Sequence, residues 1–143
     1  IIQTYNPSHY AIQAAVSQDY KALYEKEIQL REQLGFPPFA YLVSLKLQGN
    51  SRENTERAAK QLGERLRKTL KKWPKKGKQI AVLGPVEAPI AKLRGKHRWQ
   101  ILIKAPRPYL AQELLRVAKK SSEYDFKSKG VQLILDVDPY QMM

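Results

Sequence analysis

The sequence contains no cysteine, which excludes disulfide bonds, thiol catalysis and thiolate metal sites. It has only two histidines, His9 and His97, and neither has an acidic neighbour at the spacing of a metal site. No apolar run approaches the roughly 18–20 residues of a membrane-spanning helix. The chain starts at Ile1, inside a short apolar run without the basic start of a signal peptide. We therefore expect a piece taken from the middle of a longer protein.

Acidic residues are scarce in the second half of the chain, and the whole chain carries a formal net charge of +13. Residues 1–64 have seven basic and seven acidic side chains, whereas residues 65–143 have nineteen and six. In the window 65–107, fourteen basic residues stand against Glu87 alone. A surface so one-sided repels itself, and nucleic acid is the most common polyanionic partner that offsets this. An anionic membrane, an acidic protein tail and a charge excess that serves only solubility remain alternatives.

The chain also lacks recognisable catalytic motifs. Gly95-Lys96 does not have the spacing of a phosphate-binding P-loop, and no nucleophile and base can be paired. Asp136 and Asp138 share one face of a predicted strand, a geometry that can hold Mg²⁺, although turn and ion-pair roles are more common. We therefore expect neither enzymatic activity nor a metal site.

Residues 1–36 predict a helical arm that precedes an α+β domain at residues 37–143. Ser8 is a candidate N-cap for a helix from about His9. The stretch 17–19 (Ser-Gln-Asp) resembles a second cap, followed by a longer amphipathic helix to about Leu34. Gly35 and the two prolines after it prevent the second helix from continuing.

The domain predicts the order β-α-β-β-α-β, which is the ferredoxin-like split βαβ arrangement. Right-handed crossovers then suggest that the first and third strands are parallel neighbours, with both helices on one face and the other face open. Periodicity and turn residues predict strands at 40–48, 79–83, 98–104 and 131–137, helices over 51–72 and from 106 onward, and a Pro-containing loop over 84–95.

One stretch of the second half combines cations with a glycine and an aromatic ring. Phosphates favour clustered Arg and Lys, and bases stack on aromatic side chains with about 1–3 kcal/mol each. The ring at position 99 also fits a core role at the start of a strand. The candidate DNA-binding residues of this stretch are Lys92, Arg94, Lys96, His97, Arg98 and Trp99.

A second basic stretch follows the predicted long helix and contains Trp73. A Lys-rich turn attracts phosphates without reading sequence, although cations also suit a solvated helix end. We expect both stretches to capture phosphates, with Trp99 or Trp73 stacking on a base. The candidate residues of this second stretch are Lys71, Lys72, Lys75 and Lys76.

Five short motifs, taken together, resemble one family. In their order and spacing they are similar to the C-terminal region of PriA, the bacterial primosomal protein N′, a replication-restart DNA helicase. The motifs are Ile-Gln-Thr-Tyr-Asn-Pro at 2–7, Leu-Gly-Phe-Pro-Pro-Phe at 34–39, Val-Leu-Gly-Pro-Val at 82–86, Arg-Trp-Gln-Ile-Leu at 98–102 and Leu-Asp-Val-Asp-Pro at 135–139.

The resemblance implies that residues 1–5 are the last strand of a helicase lobe, 8–36 are connecting helices, and 37–143 form a domain similar to a small-subunit ribosomal protein. It implies contact with single-stranded or branched DNA in the bacterial cytoplasm. It also implies that the domain, with the helicase core, docks the acidic C-terminal tail of single-stranded DNA-binding protein (SSB). Arg107 and Gln112 are the nearest candidates for the residues that hold this tail.

The resemblance implies that the full-length protein is an ATP-dependent 3′→5′ DNA helicase. Its ATP, Mg and Zn sites would lie outside the matched segment. No cofactor is therefore expected within this chain, and its partners would be DNA, the SSB tail and the remaining helicase domains. A protein-interaction module without its own DNA binding, and an RNA-binding ribosome-associated domain, are the alternatives left open.

Overall fold

The computed structural model describes residues 1–119, 126 and 130–139. Its residues group into two compact units, one up to Phe39 and a second from Ala40 on. This division lies three residues beyond the predicted end of the arm. Among the helices described, none combines the length and apolar character needed to cross a bilayer.

The first unit contains two helices, α1 (Tyr10–Ser17) and α2 (Tyr20–Leu34). The N-cap of α1 is His9 and not Ser8 as predicted, because the His9 imidazole accepts a hydrogen bond from the Ala11 amide at 3.3 Å. Asp19 caps α2 as predicted, with its carboxylate accepting from the Ala22 amide at 2.9 Å. Both helices end at a residue in the left-handed conformation, which at the end of α2 is Gly35.

The strand expected at residues 1–5 is not formed. These residues are exposed, and none of the strands described for this chain pairs with them. A strand needs a neighbour to receive its backbone hydrogen bonds, so an apolar, β-branched segment without one stays irregular.

The second unit has the predicted element order. A four-stranded antiparallel sheet has the strand order β2-β3-β1-β4, which is the ferredoxin-like arrangement, and a single 3₁₀ turn at Gly77–Gln79 precedes β2. The elements are β1 (Tyr41–Gly49), α3 (Arg52–Lys71), β2 (Ala81–Leu93), β3 (Lys96–Ala105), α4 (Pro108–Lys119) and β4 (Val131–Val137).

The first and third strands are neighbours at the sheet centre, as predicted, but they are antiparallel and not parallel. Helix α3 returns the chain so that β2 runs in the direction of β1, and the β2–β3 hairpin then reverses it. A strand inserted between two parallel strands by a hairpin is therefore antiparallel to both.

The loop predicted at 84–95 is mostly strand, which corrects the sequence-based expectation. Strand β2 continues to Leu93, and its ladder with β3 is interrupted between Leu83 and Val86 and again between Glu87 and Lys92. Proline cannot donate to a ladder, and bulges or irregularities of an edge strand accommodate it. The prolines therefore mark interruptions of a long edge strand and do not end it.

One face of the sheet packs on α3 and α4 and forms the core. Alternate residues of β1 and β3 pack against an apolar stripe on each helix. The two-residue period of strands and the 3.6-residue period of helices predict this arrangement. Helix α3 lies close to the sheet at Gly63, where a Cβ atom would lie 2.9 Å from Pro85. The most buried large side chains of this core are Leu45, Leu47, Leu66, Ile101, Ile103, Leu110 and Leu114.

The opposite face is not uniformly open, contrary to expectation. Leu42 and Ser44 of β1 are each only 3% exposed there. Farther along the same strand, Lys46 forms an ion pair with Asp136 of β4 at 3.7 Å. The Lys46 side chain is 16% exposed and the Asp136 side chain 43%. The positive charge of Lys46 on this face is therefore balanced by Asp136.

Candidate nucleic-acid interface

The stretch predicted as a basic loop is the tip of the β2–β3 hairpin. Arg94 and Gly95 form a two-residue turn with φ of 50° and 80°, and Leu93 pairs with Lys96 across it. Two successive positive φ angles are typical of a type I′ turn, whose twist matches that of the flanking strands. The cations are therefore displayed on a structured tip instead of a loose loop.

The hairpin tip presents cations on both faces of the sheet and at its apex. Side chains alternate along a strand, so Lys96 and Arg98 lie on one face and His97, with its partner Lys92, on the other. We call the residues Lys92, Arg94, Lys96, His97 and Arg98 the hairpin surface. Lys92, Arg94 and Lys96 are exposed, whereas His97 and Arg98 are half-buried.

Trp99 does not belong to this surface, which corrects the prediction that it contacts DNA. It is 8% exposed, belongs to the core cluster and is the partner of Leu47 in the β1–β3 register. Its parity on β3 is that of Ile101 and Ile103, so the ring points to the helices. A base cannot stack on a ring whose faces are packed inside the domain.

Glu87, the only acid of the window 65–107, is already paired. It lies on β2 with its carboxylate 3.3 Å from the Arg52 guanidinium at the start of α3. The hairpin surface therefore keeps its positive charge without a competing carboxylate of its own stretch.

The second basic stretch surrounds Trp73, which is half-buried and packs against the edge of the core. A hollow of about 400 Å³ is lined by Glu64, Lys68 and Lys72 on the α3 side and by Val117 of α4. A second hollow of about 350 Å³ lies on the turn that follows, bordered by Glu113. Trp73 lines both hollows, so this half-buried ring borders solvent-accessible space as well as the core.

We call the region lined by Lys68, Lys72, Trp73, Lys75 and Val117 the Trp73 groove. Lys71, Lys72, Lys75 and Lys76 are all exposed, as predicted. Lys76 forms an ion pair with Glu113 of α4 at 3.1 Å. The sequence does not signal Val117 as part of this region, because its position depends on how α4 packs on α3.

The hairpin surface and the Trp73 groove lie at opposite ends of the sheet. Gly49 pairs with His97 and Tyr41 with Ala105, so the hairpin tip is at the end where β1 finishes and α3 begins. The Trp73 groove follows the other end of α3, just before β2 begins opposite Lys104. The 20 residues of α3 span about 30 Å. The structure therefore does not bring the two predicted groups together.

Arg107 and Gln112 are both exposed at the start of α4. Arg107 precedes Pro108, and its carbonyl accepts from the Leu110 amide at 3.2 Å. Gln112 lies five residues later, about 140° around the helix axis. Arg116 follows Gln112 by four residues, is exposed and shares its face. The geometry thus groups Gln112 with Arg116 more closely than with Arg107.

Asp136 and Asp138 have structural partners. Asp138, with φ of 48°, accepts from the Leu42 amide at 3.1 Å and donates its own amide to the Leu42 carbonyl at 2.8 Å. Asp136 pairs with Lys46. Within the described ranges no three His, Asp or Glu side chains gather as metal ligands would.

Comparison with known proteins identifies one family. A family model described as the primosomal protein N C-terminal domain matches residues 32–140. The chain is 33% identical over 143 residues to replication restart protein PriA of Bacillus subtilis, covering 100% of this chain and 17% of that protein. It is 31% identical to the PriA of Haemophilus influenzae (99% and 18% covered) and 33% identical to that of Thermotoga maritima (97% and 16%). The chain thus spans less than a fifth of the length of these curated relatives.

Proposed function

The chain belongs to the family of primosomal protein N C-terminal domains, and from this premise we propose that it binds single-stranded or branched DNA as an accessory domain of a replication-restart helicase. The catalytic motor would reside in other domains of a protein that works in the bacterial cytoplasm. The remaining helicase domains would then be its partners within the same chain.

The hairpin surface carries this proposal. Five basic or titratable side chains project from a short, structured tip, and Glu87, the acidic residue of the same hairpin, pairs with Arg52. A type I′ hairpin fixes the backbone that carries these cations, so binding orders their side chains but not a loop. Because Trp99 is packed in the core and the surface consists mainly of cations, binding here would follow the backbone and not the sequence.

The first experiment measures DNA binding against salt. Fluorescence anisotropy of labelled oligothymidylate, titrated with the 143-residue chain at several salt concentrations, gives the log–log slope. Three to five phosphate contacts predict a slope of about −2 to −4. Affinity that is indifferent to salt would overturn the proposal.

A double variant then assigns the contacts to the hairpin. Arg94→Asn with Lys96→Gln removes two cations, and Asn tolerates the left-handed backbone at position 94. The slope should become shallower by about 1.4 units, two contacts at about 0.7 each. Lys21→Gln with Lys26→Gln removes the same charge from exposed positions of α2 and should leave the slope unchanged. An equal decrease of the slope in both variants would show that net charge, and not the hairpin surface, determines DNA binding.

A second candidate role is docking of the acidic SSB tail at the start of α4. The exposed face of Gln112 and Arg116 favours it, since a guanidinium can hold a carboxylate bidentately. Titration of a tail peptide and of its scrambled version measures specific capture, with Arg107→Gln and Arg116→Gln compared. Specific peptide binding without DNA binding would favour an interaction module. Preference for oligouridylate over oligothymidylate would favour an RNA-binding domain.

A further inference from the structure

The two basic regions of this domain are far enough apart to act separately. Along β3, Lys96 and Lys104 are eight residues apart, which corresponds to roughly 26 Å. Electrostatic influence in physiological salt decays over about 8 Å. A phosphate held at the hairpin surface therefore neither helps nor hinders one held at the Trp73 groove.

The cations between the two regions are engaged by partners within the domain. On α3, Arg57 pairs with Glu53 at 2.5 Å and Lys60 with Glu56 at 2.6 Å, so the first half of this helix is balanced. On the other face of the sheet, β3 carries Gln100 and Leu102 between its terminal cations. Arg67 of α3 also lies between the two regions, and its guanidinium donates to the Gly84 carbonyl of β2. Among the described residues, a polyanion that follows the surface from one end would therefore meet mainly cations that the domain already engages.

The Trp73 groove offers what the hairpin surface lacks, a half-buried indole. Lys68 and Lys72 are four residues apart on one face of α3, and both are exposed beside Trp73. Lys75 lines the second hollow, together with Lys72, Trp73 and Glu113. Three lysines that line the same hollows as an indole match a single strand that stacks one base and places its phosphates near the cations.

From this arrangement we propose that one domain holds two segments of nucleic acid at once, a phosphate backbone at the hairpin surface and an unpaired, stacked strand in the Trp73 groove. The hairpin half of this inference rests on the function proposed above. The groove half stands on its own contacts. Such a domain would bring together two arms of a branched DNA at a separation set by the length of α3.

The first test is stoichiometry, measured by calorimetry with an oligothymidylate of six nucleotides. Two molecules should bind per chain. The Arg94→Asn, Lys96→Gln variant and a Lys68→Gln, Lys72→Gln variant should each bind one. A single site in the unmodified chain, lost in either variant, would mean one continuous surface and would overturn the proposal while leaving DNA binding intact. No binding at all would overturn both.

The second test uses the fact that Trp73 and Trp99 are the only tryptophans of the chain. In a Trp99→Phe variant all indole fluorescence comes from Trp73, and stacking of a base should quench it. The hairpin double variant, made in this background, should keep the quenching. Loss of quenching there, or quenching equally strong in a Trp73→Phe variant that retains only the buried Trp99, would refute the groove site.

A capture experiment then tests simultaneous binding. A biotinylated hexamer on beads should retain a fluorescent hexamer when the unmodified chain is added, and should retain none with either double variant. The Lys21→Gln, Lys26→Gln variant controls for charge and should behave as the unmodified chain. Failure to retain the second hexamer, with two sites seen by calorimetry, would show that the sites exclude one another and would contradict the inference.

Discussion

Trp99 faces Leu47 across the β1–β3 ladder, and this pairing makes the most conspicuous aromatic of the basic stretch a core residue. Trp99→Ala should lower the free energy of unfolding by about 3–5 kcal/mol, because a large buried side chain is replaced by a cavity. Urea denaturation followed by circular dichroism measures the loss.

Trp99→Phe is the matched control, since it keeps an aromatic ring in the same site. It should cost less than Trp99→Ala, and DNA affinity under folding conditions should equal that of the unmodified chain. A Trp99→Phe variant that folds normally but binds DNA several-fold more weakly would return Trp99 to the interface.

Gly95 is expected to matter through its backbone alone. Its φ is 80°, and a Cβ added there would meet nothing within 4 Å. Gly95→Ala should therefore cost about 1 kcal/mol from left-handed strain and also weaken DNA binding, because the hairpin tip relaxes. Thermal unfolding and the anisotropy titration give the two quantities.

Gly130→Ala provides a control with the same strain in a different place. Gly130 has φ of 66° and equally free space, but it precedes β4 and lies outside the hairpin. It should lower stability by a similar amount and leave DNA affinity unchanged. If both variants weaken DNA binding equally, the effect belongs to global stability and not to the tip.

Asp138 is expected to stabilise the start of β1 and not to hold a cation. Asp138→Ala removes the acceptor of the Leu42 amide and should cost about 1–3 kcal/mol. Asp138→Asn keeps an oxygen acceptor and tolerates a positive φ, so its stability should stay close to that of the unmodified chain. Melting temperatures that rise with Mg²⁺ and fall with EDTA would instead indicate a metal site.

The first unit should have a pH-dependent contact between Tyr10 and Glu27. The Tyr10 hydroxyl donates to the Glu27 carboxylate at 2.5 Å, and this bond lowers the pKa of Glu27, assisted by Arg31, and raises the pKa of Tyr10. The contribution of Glu27 is present above its ordinary pKa of 4.5 and is lost as pH falls through the lowered value. The contribution of Tyr10 is present below 10.0 and is lost as pH rises through the raised value.

Hydrogen exchange of α1 amides, measured across pH, checks this window. The exchange must be corrected for its intrinsic pH dependence. Protection should be greatest between the two limits, and Tyr10→Phe should reduce it there while Tyr20→Phe, on an exposed ring, should not. Identical protection in Tyr10→Phe and the unmodified chain would show that the Tyr10–Glu27 hydrogen bond does not stabilise α1.

The sequence by itself predicted most of the elements of the fold. The α3 stripe of Ala58, Leu62 and Leu66 is buried as its period requires, Asp19 caps α2, and β4 begins and ends at the predicted residues 131 and 137. These features depend on interactions within a few residues, and side-chain period and capping chemistry express them directly. The family resemblance likewise rests on short local motifs and is confirmed by the match over residues 32–140.

Only the tertiary structure decided where the charge acts. The positive excess of residues 65–143 is a property of the sequence, but its division into two ends depends on the direction of each strand and on the 20-residue length of α3. Trp99 is buried because its side of β3 faces the helices, and the Trp73 groove forms because α4 packs beside α3. Both arrangements depend on neighbours that are far away along the chain. Composition records how many cations a chain has, whereas their separation is set by non-local pairing, which no local pattern encodes.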